Sequence, residues 1–221
     1  MNKPILRLSS LSQKYVMALA GVFLMLFLAM HLATNLLMLA GREAFEEAVD
    51  FLIRNPFIKI MEYVLFAGFI IHIFVGVMLQ WHNTRSRPVK YAVRLKSETF
   101  AFSRYMFHTG VIIFIFLIIH LVNFFFVKVG WLPVPDHATG PYDFYSMAIA
   151  SFTNPVYSGI YLVSFVFLGF HLYHAFQSAF QSLGLNHNRY TPVIKYLGLV
   201  YTLGISIGFA SIPVYFLFFY S

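Results

Sequence analysis

The 221-residue sequence contains no cysteine, and only 10% of its residues are charged, against about 25% in a soluble domain. The missing cysteine excludes disulfides, iron-sulfur clusters and cysteine-ligated zinc. The shortage of charge excludes a water-soluble fold, because 27 Phe, 14 Tyr and an apolar share of 60% leave more apolar surface than one core can hide. Acidic residues are scarcer still, 8 against 15 Lys and Arg, for a formal charge of +7. In a soluble protein that excess would suggest nucleic acid. Here the bases lie in loops between apolar runs, so they read as topology markers, and no nucleic-acid partner is expected.

The uncharged stretches are Tyr15 to Gly41, Tyr63 to Thr84, Tyr105 to Val127, Phe144 to Asn188 and Tyr196 to Ser221. A bilayer-spanning helix needs about 20 residues. The fourth stretch, at 45 residues, exceeds one span. Asn154-Pro155 breaks it, since proline is well placed in a first helical turn, and Gly184 supplies a stop, which predicts a helix over Pro155 to Ser182. The expected fold is an all-α integral membrane protein, a single domain over residues 1–221 with five transmembrane helices. The first apolar run is too long for a signal-peptide core, and its small residues Ala18 and Ala20 precede most of it rather than follow it.

Lys3, Arg7, Lys14, Arg85, Arg87, Lys90, Arg94, Lys96, Arg104, Arg189 and Lys195 fall on one side, 11 of the 15 bases, while seven of the eight acids fall on the other. By the positive-inside rule the N-terminus is inside and the C-terminus outside. A weak internal similarity accompanies this topology: spans one and two form one histidine-bearing pair, spans three and four another, and span five has no histidine.

His31, His72, His120 and His171 each lie within a different span, among aliphatic and aromatic neighbours (FLAMHLAT, GFIIHIFV, FLIIHLVN, FLGFHLYH). Ionisable side chains at that depth mark a cofactor, an ion path or a relay. His31 is 17 residues beyond Lys14 and His120 is 16 beyond Arg104, so both sit roughly 24 to 25 Å up at 1.5 Å per residue. His72 and His171 sit about 15 to 17 Å above the same edge. Two histidines at each of two depths suit two bis-histidine hemes stacked across the bilayer, the four helices forming a heme-binding bundle. Small residues near two ligands (Gly68 and Gly76 around His72; Ser164, Ala175, Ser178 and Ser182 around His171) could admit a porphyrin or serve ordinary helix packing. Around His31 the same face carries Ala20, Thr34 and Asn35 between bulky residues. The alternative for each deep histidine is a hydrogen-bonded core side chain. His174, one turn from His171, is a second-choice ligand or a propionate or quinone partner. His82, His108, His137 and His187 read as surface groups. Iron with two axial histidines has no open position, which favours electron transfer over oxygen chemistry.

These residues resemble the diheme cytochrome b membrane-anchor subunit of succinate dehydrogenase and fumarate reductase, the single-polypeptide five-helix type. The likeness runs over nearly the whole chain. It rests on the one-per-span histidines, on SSLSQKYVMALAG before His31, on SRYMFHTG leading to FLIIHLVN, and on FHLYHAFQSAFQSLG. The resemblance implies a prokaryotic cytoplasmic membrane, two heme b groups with axial pairs His31/His120 and His72/His171, an iron-sulfur subunit and a flavoprotein subunit docked inside, and a quinone site, typically for menaquinone, toward the outer heme. Some fumarate reductases carry a glutamate for proton transfer two residues before the fourth ligand; here that position is Gly169, and the resemblance does not extend to such a path. Glu62 is nominated for quinone proton exchange, its alternative being an interfacial carboxylate. Ser103 and Arg104 are nominated to hold a heme propionate, a role that a plain positive-inside arginine would not have. The diheme anchors of hydrogenases and formate dehydrogenases, and a histidine-relay transporter, are the competing classes.

Overall fold

The computed structural model describes residues 10–85, 98–185 and 187–220, with the side chains of residues 10 and 98–104 excepted. Among the described residues the chain is helical with no strand. The elements are α1 (Ser10–Leu36), α2 (Arg42–Arg54), α3 (Pro56–Arg85), α4 (Glu98–His120), α5 (Phe126–Lys128), α6 (Phe144–Phe152), α7 (Pro155–Ser182) and α8 (Thr191–Phe218). A 3₁₀ turn at Leu37–Ala40 prolongs α1, and a π turn at Leu121–Phe125 joins α4 to α5. Five helices are long and apolar enough to cross a membrane, as expected: those beginning at Leu11, Pro56, Tyr105, Pro155 and Thr191. The chain is thus an all-α protein of multi-pass membrane character. The helix expected over Pro155–Ser182 has those bounds.

Short-range chemistry sets the boundaries. Asn154 Oδ1 accepts from Val156 N at 2.9 Å, with Pro155 in the first turn of α7. Asn55 Oδ1 accepts from Phe57 N at 2.9 Å, with Pro56 opening α3 in the same way. At the far end of α7, Gly184 takes a φ of +79°, and the Leu185 N–H donates to Phe180 O at 3.0 Å.

The two halves of the chain repeat one plan. A spanning helix bearing a histidine loosens into a non-α turn and stops at a positive-φ glycine, Gly41 (φ +116°) or Gly130 (φ +78°). A short helix follows (α2 or α6), then Asn-Pro, then a second spanning helix. His31 and His120 precede those glycines by 10 residues each, and His72 and His171 follow Asn55 and Asn154 by 17 each. The weak internal similarity of the sequence is therefore a tandem structural repeat, with α8 outside it.

The repeats build a four-helix ring. α1 packs on α3 and α7, and α4 packs on α7, whereas α3 and α4 barely meet. In the spans of α3 and α4 only 6% of residues are buried, against 28–33% for the other three, so the ring has an open seam between those two helices. α8 lies across α1 and α7, with Phe209, Ile205 and Phe216 in the core.

The helix α2 went unanticipated, because residues 42–54 read only as loop. It is strongly two-faced: Phe45 is buried against Tyr145 of α6, ring centroids 6.1 Å apart, while Glu43, Glu46 and Glu47 point outward or lie at the rim. Arg42 joins the two short helices, reaching Asp143 at 3.1 Å and Ser146 at 2.7 Å with its guanidinium 4.8 Å from the Tyr145 ring centre. Asp143, one of the acids on the outer side, is a buried cap of α6. Burial alone works against its ionised form, but hydrogen bonds from Thr139 and from the Ser146 N–H outweigh that and hold the carboxyl well below the usual carboxylate range. A depressed folded pKa means that this stabilisation is complete above the unfolded value, about 3.9, and is lost as pH falls toward the folded one. Asp143→Ala should cost about 1–2 kcal/mol, read as a lower thermal midpoint in detergent near neutral pH. Asp143→Asn should flatten the acid side of the stability profile, and an unchanged acid limb would contradict the capping account.

Candidate functional site

The four deep histidines come together as two pairs. The His31 and His120 ring centroids are 5.8 Å apart with planes at 83°, and those of His72 and His171 are 6.3 Å apart at 66°. Each pair spans a diagonal of the ring, α1 to α4 and α3 to α7, between helices that do not pack side by side. The imidazole rings meet across the centre.

The pairs lie at two levels. On α4, His120 is 11 residues from Thr109, which touches His171, about 16 Å along the helix. On α7, His171 is 10 residues from Tyr161, which touches His120, about 15 Å. Two helices thus return the same spacing. Around the first pair stand Phe27, Phe116, Phe124, Tyr161 and Phe209, all with ring centroids within 5.2 to 6.3 Å of a histidine.

Hydrogen bonds at Nδ1 decide which nitrogen each ring can offer. Thr109 Oγ1 lies 3.0 Å from Met106 O and 3.1 Å from His171 Nδ1. When the hydroxyl donates to the carbonyl, its oxygen accepts from a proton on His171 Nδ1, which leaves the Nε2 lone pair free, the arrangement of metal-bound histidines. His72 Nδ1 is buried with no hydrogen-bond partner. His120 Nδ1 lies 3.5 Å from the Tyr161 hydroxyl, which Asn123 Nδ2 approaches at 3.4 Å. Asn35 Nδ2 donates to His31 O at 2.7 Å and sits 3.3 Å from His31 Nδ1.

Two imidazoles bound on opposite sides of one first-row metal ion have centroids about 6 Å apart, since each metal–nitrogen bond is about 2 Å and each centroid lies roughly 1 Å behind its nitrogen. Both observed separations suit that arrangement. Among the described residues no group of three or more His, Asp or Glu side chains converges. The two separations fit an iron held by one histidine from each side, as heme iron is.

Other nominated residues fall elsewhere. Glu62 pairs with Lys128 across the seam, their side chains 32% and 23% exposed. His174 is half-buried beside the second pair. The side chains of Ser103 and Arg104 lie outside the described residues, as does most of the basic loop following Arg85. His82, His108, His137 and His187 are exposed. Of the two uses open to the small residues, helix packing accounts for the glycines of α3. A Cβ at Gly68 would come 3.0 Å from the Phe23 ring and one at Gly76 3.4 Å from Met17, so these glycines let α1 pack on α3 rather than make room for a porphyrin. The contact with the second pair comes from Gly110, where a Cβ would lie 3.6 Å from His171 Cε1. A side chain at Gly169 would meet Ser206 Oγ at 2.8 Å, which closes that position to a glutamate.

No protein-family profile, curated protein or solved structure matches the chain.

Thr109, Asn123 and Tyr161 were not singled out from the sequence. Thr109 could have been, because 11 residues make three turns and place it on the face of His120. Thr109→Val should cost about 1 kcal/mol by removing one hydrogen bond to His171 Nδ1, whereas Thr109→Ser should restore most of the loss. Thermal melts of the purified variants would show this, and equal melts for Val and wild type would refute the contact.

Proposed function

We propose that this chain is a diheme cytochrome b anchor of a succinate:quinone oxidoreductase, carrying electrons between an iron-sulfur/flavoprotein module and membrane quinone. The observation that carries the heme part is the pairing of four histidines across both diagonals of one bundle, at two levels. The family assignment adds the sequence resemblance, and the short loops, with no soluble domain, leave the succinate chemistry to partner subunits.

In this reading His31 and His120 would hold one heme b, and His72 and His171 the other. Bound there, heme would supply one-electron transfer. Thr109 keeps His171 in the ligating tautomer. Ligation through His31 Nε2 would need the Asn35 side chain to leave the His31 carbonyl and turn its oxygen to Nδ1, since its amide nitrogen now faces both. The aromatic collar around the first pair excludes water and lowers the local dielectric, which tunes its potential apart from that of the second pair. Between the levels, α4 and α7 contribute apolar Ile113, Phe116, Phe165 and Leu168 to the core, and no chain of polar contacts links the pairs among the described residues. Electrons can tunnel through such a layer, whereas a proton relay needs polar steps, which favours a cytochrome over a histidine-relay transporter.

The positive-inside rule orients the chain with its N-terminus in the cytoplasm of a prokaryote, His72 and His171 toward the inside and His31 and His120 toward the outside. The basic inner loops then face the iron-sulfur subunit. Glu62, outward of His72 and level with the outer pair, exchanges the protons that accompany quinone reduction and quinol oxidation.

A pyridine hemochrome assay on the purified subunit should return about two hemes b per chain. His31→Ala and His120→Ala should abolish one redox component, and His72→Ala and His171→Ala the other. A heme content near zero would refute the reading, and loss of the same component in His31→Ala and His72→Ala would refute the pairing.

A further inference from the structure

The ring of spanning helices is open between α3 and α4, and one ionic contact crosses that opening: Lys128 Nζ donates to Glu62 Oε2. Side-chain direction makes the contact possible. α3 runs away from Glu62 toward His72, so the Glu62 side chain leans outward, while Lys128, on a helix of opposite direction, leans back toward the His120 level. The π turn at Leu121–Phe125 contributes as well. Its wider turn holds the helix back by about one residue, roughly 100°, which returns Lys128 toward the face carrying His120.

The surroundings are aromatic. Phe66 of α3 and Phe125 rest against each other, centroids 4.8 Å apart and planes at 52°, and the Lys128 ammonium lies 5.5 Å from the Phe125 centroid. A cation and a carboxylate of limited exposure, beside two aromatic rings at the mouth of an open seam, complement a ring-shaped ligand with carbonyl acceptors. The pair is expensive to hold at a membrane edge for packing alone, because both charges lose hydration.

We propose that the Glu62–Lys128 ion pair is the closed form of the quinone-head site, and that Lys128 leaves Glu62 to donate to a carbonyl oxygen of the entering quinone. The proposal rests on the quinone reading above, and adds to it a residue that binds the head group. Phe66 and Phe125 part to take the ring between them. Glu62, released from the ammonium, is then free to hold a proton next to the ligand.

The test uses the complete heme-loaded complex and the fluorescent quinol analogue 2-heptyl-4-hydroxyquinoline N-oxide, titrated by quenching. Lys128→Met should weaken binding about tenfold or more, the loss of one hydrogen bond from a charged donor. Lys128→Arg should stay within a few-fold of wild type, with the heme spectrum unchanged in both. Glu62→Gln frees Lys128 and should leave affinity equal or higher while slowing quinol turnover. The charge-swapped double variant Glu62→Lys/Lys128→Glu restores the tie without the donor's position and should bind as weakly as Lys128→Met. Wild-type affinity in Lys128→Met, or recovery in the swap, would make the pair a structural tie and overturn the proposal while leaving the quinone reading intact. Absence of analogue binding in the heme-loaded wild type would overturn both.

Discussion

An imidazole at bilayer depth has no water to satisfy it, and four of them in one chain impose a constraint that the rest of this fold serves. Each ring must meet a partner inside the bundle or strand a polar nitrogen in hydrocarbon. The helices answer by converging on a common centre, where the rings face one another across diagonals instead of across adjoining helices. The open seam between α3 and α4 follows from the same arrangement, since helices held apart by a shared centre need not close on each other. The one Nδ1 left without a partner belongs to α3, the helix at the edge of that opening.

The tandem repeat explains why two pairs arise and not one. Equivalent histidines, His31 with His120 and His72 with His171, meet each other, as expected when two similar helix pairs associate about an approximate two-fold axis. Each half brings its own stop glycine, short capping helix and Asn-Pro start. The capping helices α2 and α6 then lock the halves together through Arg42, Asp143 and Tyr145 at one end of the bundle. α8 belongs to neither half and covers α1 and α7, its Tyr201 hydroxyl donating to Met25 O at 2.6 Å.

Much of this was legible before any coordinates. Spans are fixed by the length of uncharged runs, and the Asn154-Pro155 start and Gly184 stop are local signals that tertiary contacts had no reason to override. Counting residues from the span edges grouped the four histidines into two layers but put those layers only about 8 Å apart, against 15 to 16 Å along α4 and α7, because the edge residues counted from do not share one height. What escaped was information held between helices. Thr109 is ordinary until α7 brings His171 beside it. Gly68 and Gly76 look like room for a cofactor until α1 fills the room with Phe23 and Met17. α2 hid in a charged stretch because its apolar face is narrow and hydropathy averages it away. The π turn after His120 left no mark in the pattern, yet it helps set where Lys128 points. The repeat spacings of 10 and 17 residues were present all along and needed the matching turns to give them meaning.

The central claim is that each histidine pair grips one heme iron from both sides with its ring planes turned well away from parallel. Low-temperature electron paramagnetic resonance of the oxidised, purified protein reads both properties at once. With interplanar angles of 83° and 66°, the account predicts two low-spin ferric signals of the strongly anisotropic kind that crossed imidazole planes produce. A high-spin ferric signal in the untreated protein, a single low-spin species, or no heme signal at all would contradict it.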